Sequence, residues 1–301
     1  MTATTALYSE SLVSLEANAS PKDFFELLKP RVMTLVVFTG FTGLMLAPVN
    51  IHPFLAFVAV LCIAVGAGAS GAINMWYERD IDAIMSRTKN RPLPQNRIEP
   101  SDALVFGLVL TFLSVGLMAI AVNLVAAGIL AFASFFYVVV YTIWLKPRTP
   151  QNIVIGGAAG AFPPMIGWAC ATGTVSIESI ILFAIIFMWT PPHFWALALY
   201  KNTDYKKAGI PMLPVVAGER VTKLHILLYT LVLTPVVLAP YFLHFAGSVY
   251  LTGALALQTW FIVSAFKVWG TKDLKPAKAM FLYSIFYLFA IFALLILDKV
   301  F

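Results

Sequence analysis

The chain has 301 residues, of which 60% are hydrophobic and 11% are charged, and its mean hydropathy is +0.88. Soluble domains carry about 25% charged residues, so this composition excludes a soluble protein and predicts an integral membrane protein. The formal net charge of +6 does not indicate nucleic-acid binding, because no soluble basic domain remains to do the binding.

Apolar runs follow one another along the chain. Each has roughly 18–24 residues, which is long enough for a spanning helix and too long for a strand of a membrane barrel. The connections after the third and seventh runs are so short that other counts stay open. We predict an all-α polytopic membrane protein with nine transmembrane helices, at residues 32–49, 54–77, 103–122, 124–145, 152–171, 177–200, 223–244, 247–268 and 279–297.

The basic residues indicate the topology. Of the 20 Lys and Arg residues, all except Lys299 precede the first run or follow the second, fourth, sixth or eighth. By the positive-inside rule, the N-terminus and the basic loops face the cytoplasm, and the C-terminus lies on the opposite side. Residues 1–20 contain no Lys or Arg and no apolar signal core, which favours a bacterial plasma membrane over a mitochondrion.

The chain reads as one membrane domain, residues 32–301. Residues 1–31 are predicted to be a cytoplasmic segment, in which residues 22–29 form a short interfacial helix. Lys29-Pro30-Arg31 precedes the first run, and Lys146-Pro147-Arg148 precedes the fifth. Because four runs separate these copies, we expect two parallel four-helix repeats plus a ninth helix, around a central cavity.

A polar cluster lies where the second run ends. Asn74, Glu78 and Asp82 are spaced i, i+4 and i+8, so on a helix they form one stripe. Their carboxylates would repel each other unless a cation lay among them, and oxygen ligands with substrate phosphates suit Mg²⁺. We therefore predict a metal–diphosphate site that holds Mg²⁺, or Mn²⁺ in its place. Asp80 points about 120° away from the stripe and joins it only if the helix frays.

The loop after the sixth run completes this prediction. It carries Asp204 beside Asn202 and three lysines, and the parallel repeat places it at the same membrane face as the stripe. Asp204 is the fourth predicted metal ligand. Cations near both loops would neutralise the remaining diphosphate charge, although topology alone also explains basic loops. The candidates are Arg87, Lys89, Arg91, Lys146, Arg148 and Lys201.

Two further features lie inside runs. Pro191 and Pro192 break the backbone ladder just before His193, and the bilayer tolerates this only beside protein or a cavity. His193 is a candidate axial ligand, base or carboxylate partner, and a hydrogen-bonded structural histidine is an equal alternative. Cys62 and Cys170 lack metal-type spacing and read as small buried hydrophobes.

The motifs resemble a known family. Asn74-x3-Glu78-x3-Asp82, followed by Met85-x-Arg87-Thr88-x2-Arg91-Pro92, resembles the first acidic motif of the UbiA-type intramembrane prenyltransferases. Asp204-Tyr205-x2-Ala208-Gly209-x-Pro211-Met212-Leu213-Pro214 resembles the second. Glu at position 78 and the segments 151–157, 191–195 and 208–214 bring the chain nearer to the branch that farnesylates heme. The resemblance covers essentially the whole chain.

The resemblance implies a fold and a reaction. The fold is nine helices around a cavity open to the cytoplasm, with both acidic motifs binding Mg²⁺ and diphosphate. Farnesyl diphosphate is the implied donor, protoheme IX the acceptor and heme O the product. Candidate heme contacts in the matching segments are Asn152, His193 and Trp195, and a candidate partner is the enzyme that modifies heme O further.

One departure and two alternatives remain. Many relatives carry paired Asp residues in the second motif, whereas here Ala208 follows Asp204 four residues on, which puts the second metal position in doubt. The alternatives are a prenyltransferase of another aromatic or quinone-precursor substrate, and a cation-coupled transporter with parallel repeats. The acids cluster at one membrane face rather than at the midplane, which argues against the transporter.

Overall fold

A computed structural model of the chain describes residues 19–300, so the larger part of the predicted 1–31 segment lies outside the described residues. Within that part of the chain the regular structure is entirely helical. The spanning segments are α2 (Pro30–Leu46), α3 (Pro53–Tyr77), α5 (Pro100–Ala121), α6 (Leu124–Phe135) with its π-helical continuation (Phe136–Leu145), α7 (Asn152–Gly156) followed by α8 (Ala158–Thr172), α9 (Ile177–Tyr200), α12 (Gly218–Phe242), α13 (Ser248–Trp269) and α14 (Lys275–Val300).

Eight of these segments are long and apolar enough to cross a membrane. The segment α2 has 17 residues and qualifies as a ninth span only together with α1 (Pro21–Leu27), to which it is bent by 54°. The helix α1 lies where a short helix is predicted at residues 22–29, and the nine predicted runs match the spans to within a few residues at each end. The short helices between spans are α4 (Arg79–Ile84), α10 (Asn202–Lys207) and α11 (Leu213–Val216).

Side-chain contacts show which connections share an end of the bundle. At one end, Ser86 after the second span hydrogen-bonds Asp204 after the sixth, and Lys223 donates to the Thr271 carbonyl after the eighth. At the other end, Lys299 Nζ donates to the carbonyls of Met45 and Ala47, at 2.7 and 2.8 Å. The basic loops therefore gather at one end and Lys299 lies at the other, as the charge pattern predicts.

Small residues bring α2 and α8 into backbone contact. A Cβ atom placed on Gly43 would lie 2.0 Å from the Pro164 carbonyl oxygen, and one on Gly167 would lie 1.9 Å from the Gly40 carbonyl oxygen. Neither position leaves room for a side chain. Close packing of this kind is the main source of helix association in a bilayer, where burial of apolar surface between helices gains little.

A buried polar network ties the last three spans together. The Tyr287 hydroxyl donates to Gln258 Oε1 at 2.5 Å, and Gln258 Nε2 donates to the Thr230 carbonyl at 2.8 Å. All three residues are buried, so each polar group meets its partner inside the bundle rather than in lipid. The network fixes the rotation of α12, α13 and α14 relative to one another.

We expect Gly167→Ala to destabilise the protein by about 1–3 kcal/mol, because the methyl group must push α8 away from α2. The matched control is Gly160→Ala on the same helix, since a Cβ there meets no atom within 4 Å. Thermal unfolding in detergent should show a lower transition temperature for Gly167→Ala than for Gly160→Ala. Equal transition temperatures would contradict the close approach of the two helices.

Candidate active site

The polar stripe survives a break in the helix. The helix α3 ends at Tyr77 and α4 begins at Arg79, but the Glu78 N–H still donates to the Asn74 carbonyl and the Asp82 N–H to the Glu78 carbonyl. The i, i+4, i+8 stripe is thereby preserved, and its three side chains are only 2%, 3% and 3% exposed. Asp80 is exposed, as the helical geometry predicts.

A cation contacts each member of the stripe. Lys29 Nζ donates to Asn74 Oδ1 at 2.5 Å, Lys146 Nζ lies 2.5 Å from Glu78 Oε1, and Arg91 lies 2.6 Å from Asp82 Oδ2. When the Lys29 amine is protonated, three cations face two carboxylates, which leaves one positive charge in excess. Charges taken out of water need partners, and a surplus cation in such a place favours an anionic ligand.

Lys29 reaches the stripe through an unusual backbone. It lies between α1 and α2 with φ 53° and ψ 54°, a left-handed conformation that costs a non-glycine residue about 1–3 kcal/mol. Gly71 on α3 makes room for it, because a Cβ there would lie 3.3 Å from Lys29 Cδ. Burial, together with the neighbouring Arg91 guanidinium, lowers the pKa of the Lys29 amine to about 7.

The structure explains the repeated Lys-Pro-Arg motif. In each copy the lysine contacts the stripe, Lys29 at Asn74 and Lys146 at Glu78. In each copy the arginine is exposed, and Arg148 donates to the carbonyls of residues 143 and 144 instead. Lys29 is therefore a site residue absent from the predicted list, and the repeat is the signal that could have found it.

No sequence pattern predicts the π-helix at the end of the fourth span. This wider helix, Phe136–Leu145, sends Tyr137, Thr142 and the adjoining Lys146 toward the stripe. Asn74 Nδ2 donates to Thr142 Oγ1 at 3.0 Å, and Lys29 Nζ lies 3.5 Å from the Tyr137 hydroxyl. π-helical turns are rare and occur frequently at functional sites.

The two acidic loops meet, as the parallel repeat predicts. Ser86 Oγ donates to Asp204 Oδ2 at 2.5 Å, and Lys201 Nζ lies 4.0 Å from the same oxygen. Between the loops lies a cavity of about 160 Å³ that is lined by Glu78 and Lys146. Its other lining residues are Tyr77, Ile81, Thr142, Pro147, Ala208, Gly209 and Ile210.

Ion pairs hold the loop after the second span against the helix α1. Arg97 forms ion pairs with Asp23 and with Glu26, both on α1. The hydrogen bond from Ser20, aided by the Arg97 charge, lowers the pKa of Asp23 below its usual range. The carboxylate therefore stays ionised at any physiological pH and holds the loop that carries Arg91. Arg87 and Lys89 on this loop are exposed and are not brought to the stripe.

The donor set fits a hard divalent cation in kind. Asn74, Glu78, Asp82 and Asp204 offer amide and carboxylate oxygens, which Mg²⁺ prefers. Residues 19–300 contain no group of three His, Cys, Asp or Glu side chains arranged to hold a metal ion. The carboxylates instead engage cations and a hydroxyl, so a metal would have to replace those partners.

The predicted heme contacts lie deeper in the bundle. His193 is buried on α9, with its ring against Trp189 and Phe281. Trp195 is buried edge-on against other aromatic rings, and its Nε1 has no hydrogen-bond partner. Asn152 is buried on α7, where Nδ2 donates to the Thr149 carbonyl and Oδ1 has no partner.

A larger cavity of about 810 Å³ lies at the opposite end of the bundle, beside Lys299. Among residues 19–300, Asp298 is the only carboxylate in its lining, and that side chain already accepts hydrogen bonds from the backbone N–H groups of Gly247 and Tyr250. This cavity contains none of the predicted site residues. The stripe is the better candidate for the active site despite its smaller cavity, because its charged side chains are buried together.

The fold and the stripe together define a membrane-embedded prenyltransferase. The UbiA prenyltransferase family model matches residues 36–289, and the chain belongs to this family. The chain is 61% identical to the protoheme IX farnesyltransferase of Parvibaculum lavamentivorans over 93% of this chain and 89% of that protein, and 62% identical to that of Rhizobium johnstonii over 94% and 91%. The resemblance to the heme-farnesylating branch is thereby confirmed.

Solved structures share the fold. A UbiA homolog from Archaeoglobus fulgidus bound to DMAPP and Mg²⁺ superposes with a TM-score of 0.65, covering 91% of this chain and 99% of that one at 18% identity. A digeranylgeranylglyceryl phosphate synthase gives a TM-score of 0.78 over 93% and 98% at 17% identity. These likenesses confirm the predicted all-α membrane fold.

Proposed function

We propose that the protein transfers the farnesyl group of farnesyl diphosphate to a vinyl group of protoheme IX, and that water addition completes heme O. The relatives that share about three-fifths of the sequence are named protoheme IX farnesyltransferase, which supports the farnesyl transfer. The observation that carries the proposal in the structure is the buried stripe with its excess positive charge. A diphosphate bound with a divalent cation is an anion that suits it.

Binding exchanges the partners of the stripe. Lys29, Lys146 and Arg91 would contact the phosphate oxygens, and the oxygen atoms of Asn74, Glu78 and Asp82 that they contact now would hold the cation. Mg²⁺, when bound, supplies charge neutralisation to the diphosphate leaving group. Asp204, which now accepts a hydrogen bond from Ser86, would offer a further carboxylate ligand from the opposite loop. Among the remaining predicted cations, Lys201 lies near Asp204, whereas Arg87, Lys89 and Arg148 would have to move to take part.

The reaction begins when the allylic C–O bond breaks and its electrons leave with the diphosphate. The bound cations stabilise that charge in an environment that excludes most water. The outer carbon of the heme vinyl group then attacks the farnesyl cation, which leaves a positive charge on the carbon next to the porphyrin. Water adds to that carbon and loses a proton, giving the hydroxyl group of heme O.

The active site is proposed to lie at the cytoplasmic face of the membrane. The protein is a multi-pass membrane protein, and the gathering of the basic loops at one end supports a cytoplasmic site in a bacterial plasma membrane. Both substrates are amphiphilic, so they can enter from the bilayer while their charged groups stay at the cytoplasmic interface. A contact with the next heme-modifying enzyme would let heme O pass on without crossing water.

Turnover tests the stripe directly. Purified protein supplied with farnesyl diphosphate, protoheme and Mg²⁺ should yield farnesylated heme by mass analysis. Asp82→Asn should reduce turnover at least 100-fold, because it removes a buried charge at the diphosphate. The matched control is Asp80→Asn, two residues away and exposed, which should keep near wild-type turnover. No farnesylated heme from folded wild-type protein would overturn the proposed function, and near-normal turnover of Asp82→Asn would overturn the metal assignment.

We expect Lys29→Met to raise the KM for farnesyl diphosphate roughly 10- to 100-fold, because a hydrogen bond to a charged phosphate contributes about 1.5–3 kcal/mol. The KM for heme should change little. Arg31→Gln removes an exposed cation of the same Lys-Pro-Arg motif and is the control. If both variants raise the KM equally, bulk charge rather than a contact from Lys29 explains the effect.

Cysteine labelling tests the orientation. The two native cysteines are buried, so an introduced cysteine at an exposed position is the main reactive thiol. In spheroplasts, a membrane-impermeant maleimide should label Thr174→Cys, whose loop lies at the end of Lys299, and should label Lys206→Cys only after lysis. The reverse pattern would place the active site on the outer face.

A further inference from the structure

His193 lies in an aromatic sandwich. Its ring is nearly parallel to Trp189, with centroids 4.3 Å apart and 18° between planes, and nearly parallel to Phe281, at 4.7 Å and 27°. A third contact, with Ser284 on α14, closes one edge of the ring, where Nδ1 lies 2.6 Å from Ser284 Oγ. These contacts leave the imidazole little freedom to rotate.

The hydrogen bonds fix which ring nitrogen carries the proton. Ser284 Oγ also lies 2.6 Å from the Phe281 carbonyl oxygen, which can only accept. The single hydroxyl hydrogen must therefore point to that carbonyl. The contact with His193 then needs a hydrogen from Nδ1, so Nδ1 is the donor and Nε2 of the neutral ring is a bare lone pair.

Nε2 is the unpaired nitrogen of the ring. His193 makes no hydrogen bond through Nε2 to any residue from 19 to 300. His193 is 7% exposed, and a ligand that approaches Nε2 would give this nitrogen the partner it lacks among the described residues.

The unprotonated Nε2 and its surroundings distinguish among the possible roles of His193: carboxylate partner, base or iron ligand. A bare lone pair cannot donate to a heme propionate, which excludes a carboxylate partner. A base would become an imidazolium, but the groups seen against the ring in the described part of the chain are three aromatic rings (Trp189, Phe194 and Phe281) and a hydroxyl, with no carboxylate to stabilise that charge. Neutral imidazole nitrogen with its other N–H hydrogen-bonded is the usual protein ligand of heme iron.

We propose that His193 Nε2 binds the iron of the protoheme substrate, an inference that rests on the proposed function. His193 precedes the end of α9 at Tyr200 by seven residues, or about 10 Å along the helix. A porphyrin held there by its iron reaches toward the cytoplasmic end with one edge, where the diphosphate site lies. Iron coordination sets the depth of the acceptor in the membrane, and Ser284 sets the orientation of the ligand.

Heme binding to the purified full-length protein tests the assignment. Titration with ferric protoheme should give the Soret and electron paramagnetic resonance signature of a nitrogen ligand. His193→Ala should lose that signature and bind heme at least 10-fold more weakly, while His225→Ala keeps both. Metal-free protoporphyrin IX should bind wild type and His193→Ala alike, because it has no iron to coordinate.

Two further variants separate ligation from folding. His193→Gly should recover the nitrogen signature when imidazole is added, which a merely misfolded protein would not do. Ser284→Ala should lower the iron–histidine stretching frequency of ferrous heme in resonance Raman spectra, because the Nδ1–H loses its acceptor. An unchanged heme spectrum and affinity in His193→Ala overturn the proposal, even if the enzyme is active. Wild type that shows the histidine signature but makes no farnesylated heme overturns the proposed function instead.

Discussion

The pairing of buried charge at one end of the helix bundle is the constraint on which the site depends. Glu78 and Asp82 lie out of water, so each needs a positive partner, and the structure supplies Lys146 and Arg91. Lys29 adds a further cation with only an amide to contact. The same low dielectric that makes these pairs necessary makes the excess charge attractive to a diphosphate.

Irregular backbone occurs where these charges must meet. The α3 helix breaks at Glu78, Lys29 takes a left-handed conformation, and the fourth span ends as a π-helix. Each irregularity lies at the end of the bundle where the basic loops gather. Regular helices would place Lys29 and Tyr137 elsewhere. The irregular backbone is therefore what brings these two side chains to the site.

The sequence predicted much of this molecule from physical rules that act locally. Apolar runs of spanning length gave the helices, and the distribution of Lys and Arg gave the end at which the loops gather, because a bilayer penalises charge strongly. The spacing of Asn74, Glu78 and Asp82 gave the stripe, since helical periodicity places them together. The parallel repeat predicted that the loops of Ser86 and Asp204 lie at the same end of the bundle. It did not predict the hydrogen bond between these two side chains.

Only the tertiary structure decided which side chains from distant segments contact one another. No local pattern assigns Lys29 to Asn74, exposes Arg148 or brings Ser284 to His193, because these contacts follow from how separate helices pack and bend. The sequence by itself determined the helical spans, the stripe of Asn74, Glu78 and Asp82, and the end of the bundle at which the basic loops gather, because apolar length, helical periodicity and charge act locally. The fold determined which side chains touch, and hence which cation serves which carboxylate and which nitrogen of His193 is left bare.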